Sequence, residues 1–314
     1  MGGRLNDMKP EPEWEMTSES RKIPRLSTYS IVAFDRETRS YGVAVQSKFI
    51  AVGSVVPWAS SDAGAIATQA YANTSYGPSA LDLFRRGLSA EKVLQKLISN
   101  DRQKDERQVG LVDRNGGSAT FTGKKCIDWA GGISGESFAA QGNILVSSKT
   151  VESMADWFQN SDSNFPEKLI GCLKAAQKAG GDRRGMQSAA LLIVRKGGGY
   201  AGFNDRFVDI RVDDSRQPIN ELERIFRLYD LVMLSRERPE DFVRVTASVR
   251  SEIQSHLSRL RYYSGKTDGL SSAEYRKAFS EYISINNFEN KSSPRGRVSA
   301  RLLEYMAKDN RKRK

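Results

Sequence analysis

Histidine is almost missing from this chain: 314 residues contain one, His256, far downstream of the main body. Ser-His-Asp and Cys-His catalysis therefore have no imidazole base in the first two-thirds of the sequence. Cysteine is equally scarce. Cys126 and Cys172 form no short-spaced pair, which excludes both a zinc site of the usual kind and a disulfide framework. No run of about 18 apolar residues exists to cross a membrane. Residues 1–26 alternate Glu11, Glu13, Glu15 and Glu19 with Pro and Trp, so they lack the apolar core of a secretory signal, and a cytoplasmic protein is expected. The Gly131-Gly132-Ile133-Ser134-Gly135 and Lys196-Gly197-Gly198-Gly199 runs match neither the dinucleotide fingerprint nor the P-loop. The carboxylates show no metal-site spacing. Neither a cofactor nor a metal is expected.

What is present is ordinary for a folded protein: 39% hydrophobic and 28% charged residues. The net charge of +11 is unevenly spread. Residues 1–27 balance, whereas residues 230–314 hold eighteen basic against eleven acidic side chains and end in Arg311-Lys312-Arg313-Lys314. Such an end fits either a solvated basic tail or an anionic polymer as partner; without interleaved aromatics, nucleic acid is not expected.

Order along the chain gives the architecture. Residues 1–27, with Pro10, Pro12 and Pro24, read as a disordered leader. Apolar runs at Tyr29–Phe34, Gly42–Val45, Val52–Trp58 and Ala63–Tyr71 read as strands buried on both faces. Helices follow around Pro78 and over Ala90–Ile98, the latter capped by Ser89. The Asn115-Gly116 pair between Gln108–Val112 and Ser118–Phe121 is a hairpin signal. A short strand at Phe138–Ala140 precedes helices over Val151–Phe158, capped by Thr150, and Glu167–Ala179, stopped by Gly180 and Gly181. Gln187–Val194 and Tyr200–Val212 complete the strands, and Pro218 opens a helix to about Leu234. This order, strands and helix pairs alternating with frequent hairpins, predicts an α+β fold: a four-layer αββα sandwich over 28–234. From 235 to 307 only helices are expected, as a small separate domain, followed by a basic tail at 308–314.

Several polar residues stand where strands end. Thr28 opens the first strand, as a nucleophile or merely as a residue with good β propensity. With no histidine nearby, its own α-amine, titrating near ~7.7–8.0, is the available base if Thr28 becomes N-terminal. Lys48 follows the second strand and either tunes that amine or is a surface cation. Gly181-Asp182-Arg183-Arg184-Gly185-Met186-Gln187-Ser188 is the densest polar cluster beside a buried strand. There Asp182 would orient the amine or Lys48, Arg183 or Arg184 would clamp a substrate carboxylate, and the alternative is a solvated loop. Asn143 and Gln69, each after a buried strand, offer amide donors for an oxyanion or belong to plain turns.

The same residues carry a family likeness. Thr28-Tyr29-Ser30-Ile31-Val32-Ala33, Phe49–Ala59, Ala67-Thr68-Gln69-Ala70, Tyr76-Gly77-Pro78, Gln141-Gly142-Asn143, Gly181–Ala190 and Asp205–Asp214 closely resemble the domain-of-unknown-function family numbered 1028. That resemblance implies the fold of N-terminal nucleophile (Ntn) hydrolases, and with it an amidohydrolase or peptidase acting on an unidentified small amide or peptide. Thr28, Lys48 and Asp182 would be catalytic; Gln69, Asn143, Arg183, Arg184 and Ser188 would bind substrate or oxyanion. Many members of that family look as if they begin with Met before this threonine, where Ser27 stands here after a leader, so either translation starts later, the leader is clipped, or this member is catalytically silent. Residues from about 235 to 306, with Tyr262-Tyr263-Ser264-Gly265 and Asn286-Asn287-Phe288-Glu289, resemble a helical domain named for peptidoglycan binding, which implies an anionic glycan as a second partner. A homo-oligomer is expected, and a non-catalytic binding protein on the same scaffold is the alternative.

Overall fold

A computed structural model describes residues 28–234, 236–293 and 296–309. The expected leader at 1–27 and most of the basic tail lie outside the described residues.

The body alternates strands and helices: β1 (Thr28–Asp35), β2 (Ser40–Ser47), β3 (Pro57–Ser60), β4 (Gly64–Ala70), α1 (Tyr76–Arg85), α2 (Ala90–Ser99), β5 (Arg107–Asp113), β6 (Ser118–Thr122), β7 (Gly131–Gly135), β8 (Phe138–Asn143), α3 (Lys149–Asn160), α4 (Phe165–Lys178), β9 (Ser188–Val194), β10 (Arg206–Val212) and α5 (Pro218–Tyr229). A six-stranded antiparallel sheet has the order β10-β9-β2-β1-β8-β7, and a four-stranded antiparallel sheet runs β3-β4-β5-β6.

Alternation along β1 shows how the sheets are used. Tyr29, Ile31 and Ala33 join a core with Met154, Leu169, Leu173 and Phe226 from the helices α3, α4 and α5. Val32 and Phe34 pack the opposite way, against Ala65, Ala67 and Val112 of the second sheet. Because side chains alternate faces, Thr28 and Ser30 share the between-sheet side with Val32. The second sheet turns its other face to α1 and α2, through Ile66, Val109 and Leu111 packed on Phe84, Val93 and Leu97. The resulting body is mixed α+β with antiparallel sheets and helices on their outer faces.

The C-terminal region has a core of its own, built from Leu257, Tyr282, Phe288, Leu302 and others. Its helices are α6 (Ala247–Arg259), α7 (Ala273–Ile285) and α8 (Ala300–Lys308). Contrary to the expectation of helices alone, β11 (Phe242–Arg244), β12 (Ser292–Ser293) and β13 (Arg297–Ser299) form a small sheet of order β11-β13-β12. Two buried charge groups hold this region together and to the body. Lys291, fully buried, donates to Glu237 at 2.6 Å. Asp230, at the end of α5, receives Arg236 and Arg301 at 2.5 Å each, and Arg236 also reaches Glu167 on α4 at 2.5 Å. Burial opposes ionisation of Asp230, but the two guanidinium groups win and hold its carboxyl below the usual range.

Three local expectations are corrected, and a glycine run to which the sequence assigned no element gains one. Val52–Trp58 is not one strand: Val52–Ser54 make a 3₁₀ turn that tucks Gly53 against Ala190, and β3 starts only at Pro57. The glycine run Gly131–Gly135 is strand β7, whose Gly131 lies under the Trp129 ring where a Cβ would meet it at 2.6 Å. Ser89 makes no capping hydrogen bond; the carboxylate of Asp113, distant in sequence, accepts from the Ala90 N–H at 3.0 Å instead. Thr150 sits inside α3, with a buried hydroxyl that has no partner, so it is not a cap.

Candidate functional site

One end of the body collects the start of β1 and the ends of β2, β4 and β8. Thr28 lies there between Ser47 on one side and Asn143 on the other, in antiparallel register with both. It is fully buried, and its hydroxyl donates to Ser47 Oγ at 3.2 Å. The register is fixed by apolar neighbours further along the strand, since a slip by one residue would turn Val32 and Phe34 to the wrong face.

Behind Thr28 the two sheets are bridged by buried amides. Ser30 Oγ donates to Gln69 Oε1 at 2.6 Å and accepts from Gln141 Nε2 at 2.7 Å. Gln69 Nε2 donates to the Thr28 carbonyl at 3.2 Å and to Gln108 Oε1 at 2.9 Å. Gln108 Oε1 also accepts from Asn143 Nδ2 at 2.9 Å, while its own amide donates to the Gly142 carbonyl at 2.8 Å and to Thr122 Oγ1 at 2.9 Å. Gln69, Gln108 and Gln141 have no exposed surface and Asn143 has 2%. A network of this kind is tolerated in a core because each amide finds partners, and it then locks one arrangement of the sheets. Gly110 is needed for it: a Cβ there would come within 1.9 Å of Gln141 Oε1.

The rim is bent backbone. Ala70, the last residue of β4, Ile144, the first after β8, and Ala51, in the turn beyond β2, are non-glycine residues with φ of 64°, 53° and 51°. Left-handed conformations cost such residues about 1–3 kcal/mol each, and since Arg39, Ser137, Ala201, Arg261 and Asn287 adopt them elsewhere, these bends shape the rim without identifying a site by themselves.

The remaining sequence candidates lie around this end with different jobs. The Asp182 side chain is buried and accepts the main-chain N–H of Lys48 at 2.9 Å, plus the N–H of Arg184 at 2.9 Å and its guanidinium at 3.3 Å. Lys48 itself is exposed; what it gives Asp182 is its backbone. Arg183 and Arg184 are exposed at the rim, with the Arg183 N–H bonded to the Ile144 carbonyl at 3.0 Å. Ser188, level with Ser47 on the next strand, accepts the Val52 N–H at 3.1 Å and donates to the Phe49 carbonyl at 2.5 Å. The fold thus brings Thr28, Gln69 and Asn143 together, and uses Asp182 and Ser188 to fix the turn leaving β2. Burial, with Asp182 nearby, pushes the Tyr29 phenol well above its usual value, so it stays neutral.

Sequence reading missed Ser30, Ser47, Gln108 and Gln141. Their signal was present: polar residues at every second position within otherwise apolar strands, on the face shared with Thr28. The crevice beside Asn143, lined by Ala70, Tyr71, Cys126 and Ile144, holds about 10 Å³. Among the described residues, no group of three or more His, Cys, Asp or Glu is placed to hold a metal ion, and no helix is long and apolar enough to cross a membrane.

Comparison with known proteins follows the same division of the chain. Residues 233–306 match the family model described as "Putative peptidoglycan binding domain". No curated protein matches the sequence. Among solved structures, a crystal structure of a Silicibacter pomeroyi protein, titled as a DUF1028 member, is 30% identical with a TM-score of 0.60, over 65% of this chain and 89% of that one. Residues 28–222 match the model described as "Family of unknown function (DUF1028)", and with the greater part of its length so matched, the chain belongs to that family.

Proposed function

We propose that residues 28–234 are a four-layer αββα domain of the Ntn-hydrolase type, cleaving an amide bond in a small amide or peptide with Thr28 as nucleophile. The observation that carries this reading is the buried Thr28 hydroxyl at the head of β1, set between Ser47 and Asn143 with amide donors behind it and no imidazole in the body. Cleavage of the Ser27–Thr28 bond would give Thr28 a free amine. That amine takes the hydroxyl proton, Oγ1 attacks the substrate carbonyl to give a tetrahedral oxyanion, the C–N bond breaks as the proton passes to the leaving amine, and a water whose proton the same amine takes then hydrolyses the Thr28 ester to release the acid. Asn143 and Gln69 are the side-chain amides that would hold the oxyanion, each by turning from its present acceptor, Gln108 Oε1. Arg183 and Arg184 offer cations at the rim for a substrate carboxylate, while Asp182, Lys48 and Ser188 hold the rim in shape. A peptide-bonded Thr28 has no such base, so the full-length chain is a latent form.

Residues 235–307 form, in this proposal, a separate module that binds an anionic glycan, supported by the family match over 233–306 and by the basic excess of this part of the sequence. A cytoplasmic site of action fits the sequence reading.

The decisive experiment is intact mass and N-terminal sequencing of natively produced protein, followed by turnover of aminoacyl anilides by chain beginning at Thr28. Thr28→Ala should abolish turnover and Thr28→Ser should retain part of it. Equal turnover by Thr28→Ala would defeat the catalytic reading. One observation favours the second reading, a non-catalytic binding protein: Thr28 is sealed, and the crevice beside it is smaller than one amide group. A native product that keeps its leader and shows no turnover would decide for that reading.

A further inference from the structure

The large sheet ends in an open edge. Strand β10 pairs with β9, and among the described residues no strand pairs with its other side. Free strand edges invite pairing with another chain, and proteins that leave them free usually blunt them with charge. Here the charge is patterned rather than uniform.

Along the edge run Arg206, Asp209, Arg211, Asp213 and Asp214, that is plus, minus, plus, minus, minus. Asp209 and Arg211 share one face of the strand, with Asp209 Oδ1 3.3 Å from Arg211 Nε and Asp209 Oδ2 3.1 Å from Arg206 Nη1. All three remain partly exposed, at 21%, 42% and 71% of their side-chain surface for Asp209, Arg211 and Arg206. They are therefore open to a second set of partners.

Two copies of an edge strand related by a two-fold axis pair antiparallel. To continue both faces of the sheet, the axis must pass through a residue rather than between two, since a half-step would set buried positions opposite exposed ones. Few centres remain. An axis at Asp209 sets that carboxylate against itself, and one at Arg211 sets the guanidinium against itself. An axis at Val208 falls on the register shift between Arg206 and Val208, and one at Val212 falls on the last residue of the strand, which leaves half of the pairing to residues beyond it. An axis at Ile210 lies in the regular part of the strand and sets Asp209 opposite Arg211 of the second copy, twice.

The same relation gives a place to an otherwise unexplained feature. The hairpin tip between β9 and β10 exposes Tyr200 at 74% and Phe203 at 89%. Phe203 precedes β10 and Gln217 follows it, so pairing about Ile210 brings the aromatic tip of one copy and the start of α5 of the second copy to the same end of the joined strands. Gln217, Ile219, Asn220 and Met186 line a recess of about 380 Å³ there. We infer that this protein self-associates by antiparallel pairing of β10 with β10 of a second copy about Ile210, joining two six-stranded sheets into one, with each aromatic tip reaching toward the recess of its neighbour.

Sedimentation velocity on the full chain at micromolar concentration tests this, with far-UV circular dichroism confirming that each variant is folded. The wild type should sediment at twice the chain mass of 35.0 kDa. Asp209→Arg and Arg211→Asp should each weaken association about tenfold or more, because each puts like charges opposite one another twice per dimer. The double exchange Asp209→Arg with Arg211→Asp should restore the dimer. A monomeric wild type, single reversals that leave the mass unchanged, or a double exchange that stays monomeric would each overturn the inference. The register has its own test. In a Cys126→Ser background, Ile210→Cys sits on the axis, where facing Cα atoms lie about 4.5–5.5 Å apart, and should form a disulfide-linked dimer on oxidation. Val208→Cys, off the axis, should not. Cross-linking at 208 but not at 210 would likewise overturn it.

Discussion

Replacing Gln108 by Leu removes the hub of the buried amide network while nearly keeping its volume. Gln108 Oε1 takes one hydrogen bond from Gln69 and one from Asn143, both at 2.9 Å, and its amide gives one to the Gly142 carbonyl at 2.8 Å. Leaving buried polar groups without their partner costs about 1–3 kcal/mol each, and the added apolar surface of leucine returns about 1–2 kcal/mol. Five groups lose a bond, of which the Thr122 hydroxyl and the Gly131 carbonyl are only part-buried, and Gln69 keeps its contact with the Thr28 carbonyl at 3.2 Å, so a net loss of roughly 3–5 kcal/mol is expected. For a body of this size that corresponds to a drop in Tm of about 6–20 °C. The assay is denaturant unfolding followed by near-UV circular dichroism, with a lower midpoint and an unchanged slope. Gln187→Leu serves as control, since its bond to Asp214 is exposed, and should stay within about 0.5 kcal/mol. In the double variant Gln69→Leu with Gln108→Leu the losses should fall short of their sum, because the two amides share one bond. A loss below about 1 kcal/mol for Gln108→Leu would refute the claim that this network fixes the sheets behind Thr28.

Lys291→Met should destabilise the C-terminal region by about 3–5 kcal/mol by stranding the buried Glu237 carboxylate, whereas Lys291→Met with Glu237→Leu should recover most of it, as read by thermal melting. Burial works against ionisation of Asp101, but hydrogen bonds from Arg107, the Gln103 N–H, Tyr76 and Asn73 outweigh it and hold the carboxyl well below its usual range. A depressed pKa gives stability that is complete above the unfolded value of about 3.9 and is lost as pH falls below it, so Asp101→Asn should flatten the acid limb of the stability curve while lowering the neutral plateau. Burial pushes the Cys172 thiol up, so at mildly alkaline pH iodoacetamide should label half-buried Cys126 in the native protein and Cys172 only after unfolding, checked by peptide mass.

Strands whose hydrophobicity is continuous were legible, because burial on both faces leaves nothing else for Tyr29–Phe34 or Ala189–Val194 to do. The Asn115-Gly116 turn was legible for a local reason: Gly116 takes a φ of 86° and Asp113 accepts the N–H groups of Asn115 and Gly117. What escaped depended on distant partners. Gly131–Gly135 has no strand propensity and pairs because β8 lies beside it and Trp129 fills the space above the glycine. The cap on α2 comes from Asp113, which local spacing cannot reveal. At the site, Thr28, Gln69 and Asn143 were named as separate candidates, but the amides joining them were not. A glutamine in a strand reads as a weakness until its partner on the facing sheet is known. Lys48 shows the converse: a charge in the right stretch of sequence can contribute through its backbone alone.

The burial of Thr28, which argues against turnover in the intact chain, argues for the chemistry once the Ser27–Thr28 bond is cut. A new α-amine starts from a pKa near ~7.7–8.0, and desolvation disfavours its ammonium form. No carboxylate side chain lies among the direct hydrogen-bond partners described for Thr28, which are the Ser47 hydroxyl and the Gln69 amide. With nothing anionic in that shell to hold a proton, the amine would be pushed toward its neutral form and could accept the proton of its own hydroxyl near neutral pH. The pH dependence of turnover by the chain beginning at Thr28 should therefore rise through an acid-side limb set below ~7.7, and neutralising the carboxylate by Asp182→Asn should shift it little. A limb well above that value would mean that a buried negative charge stabilises the ammonium, and the amine would then be a poor base in this site.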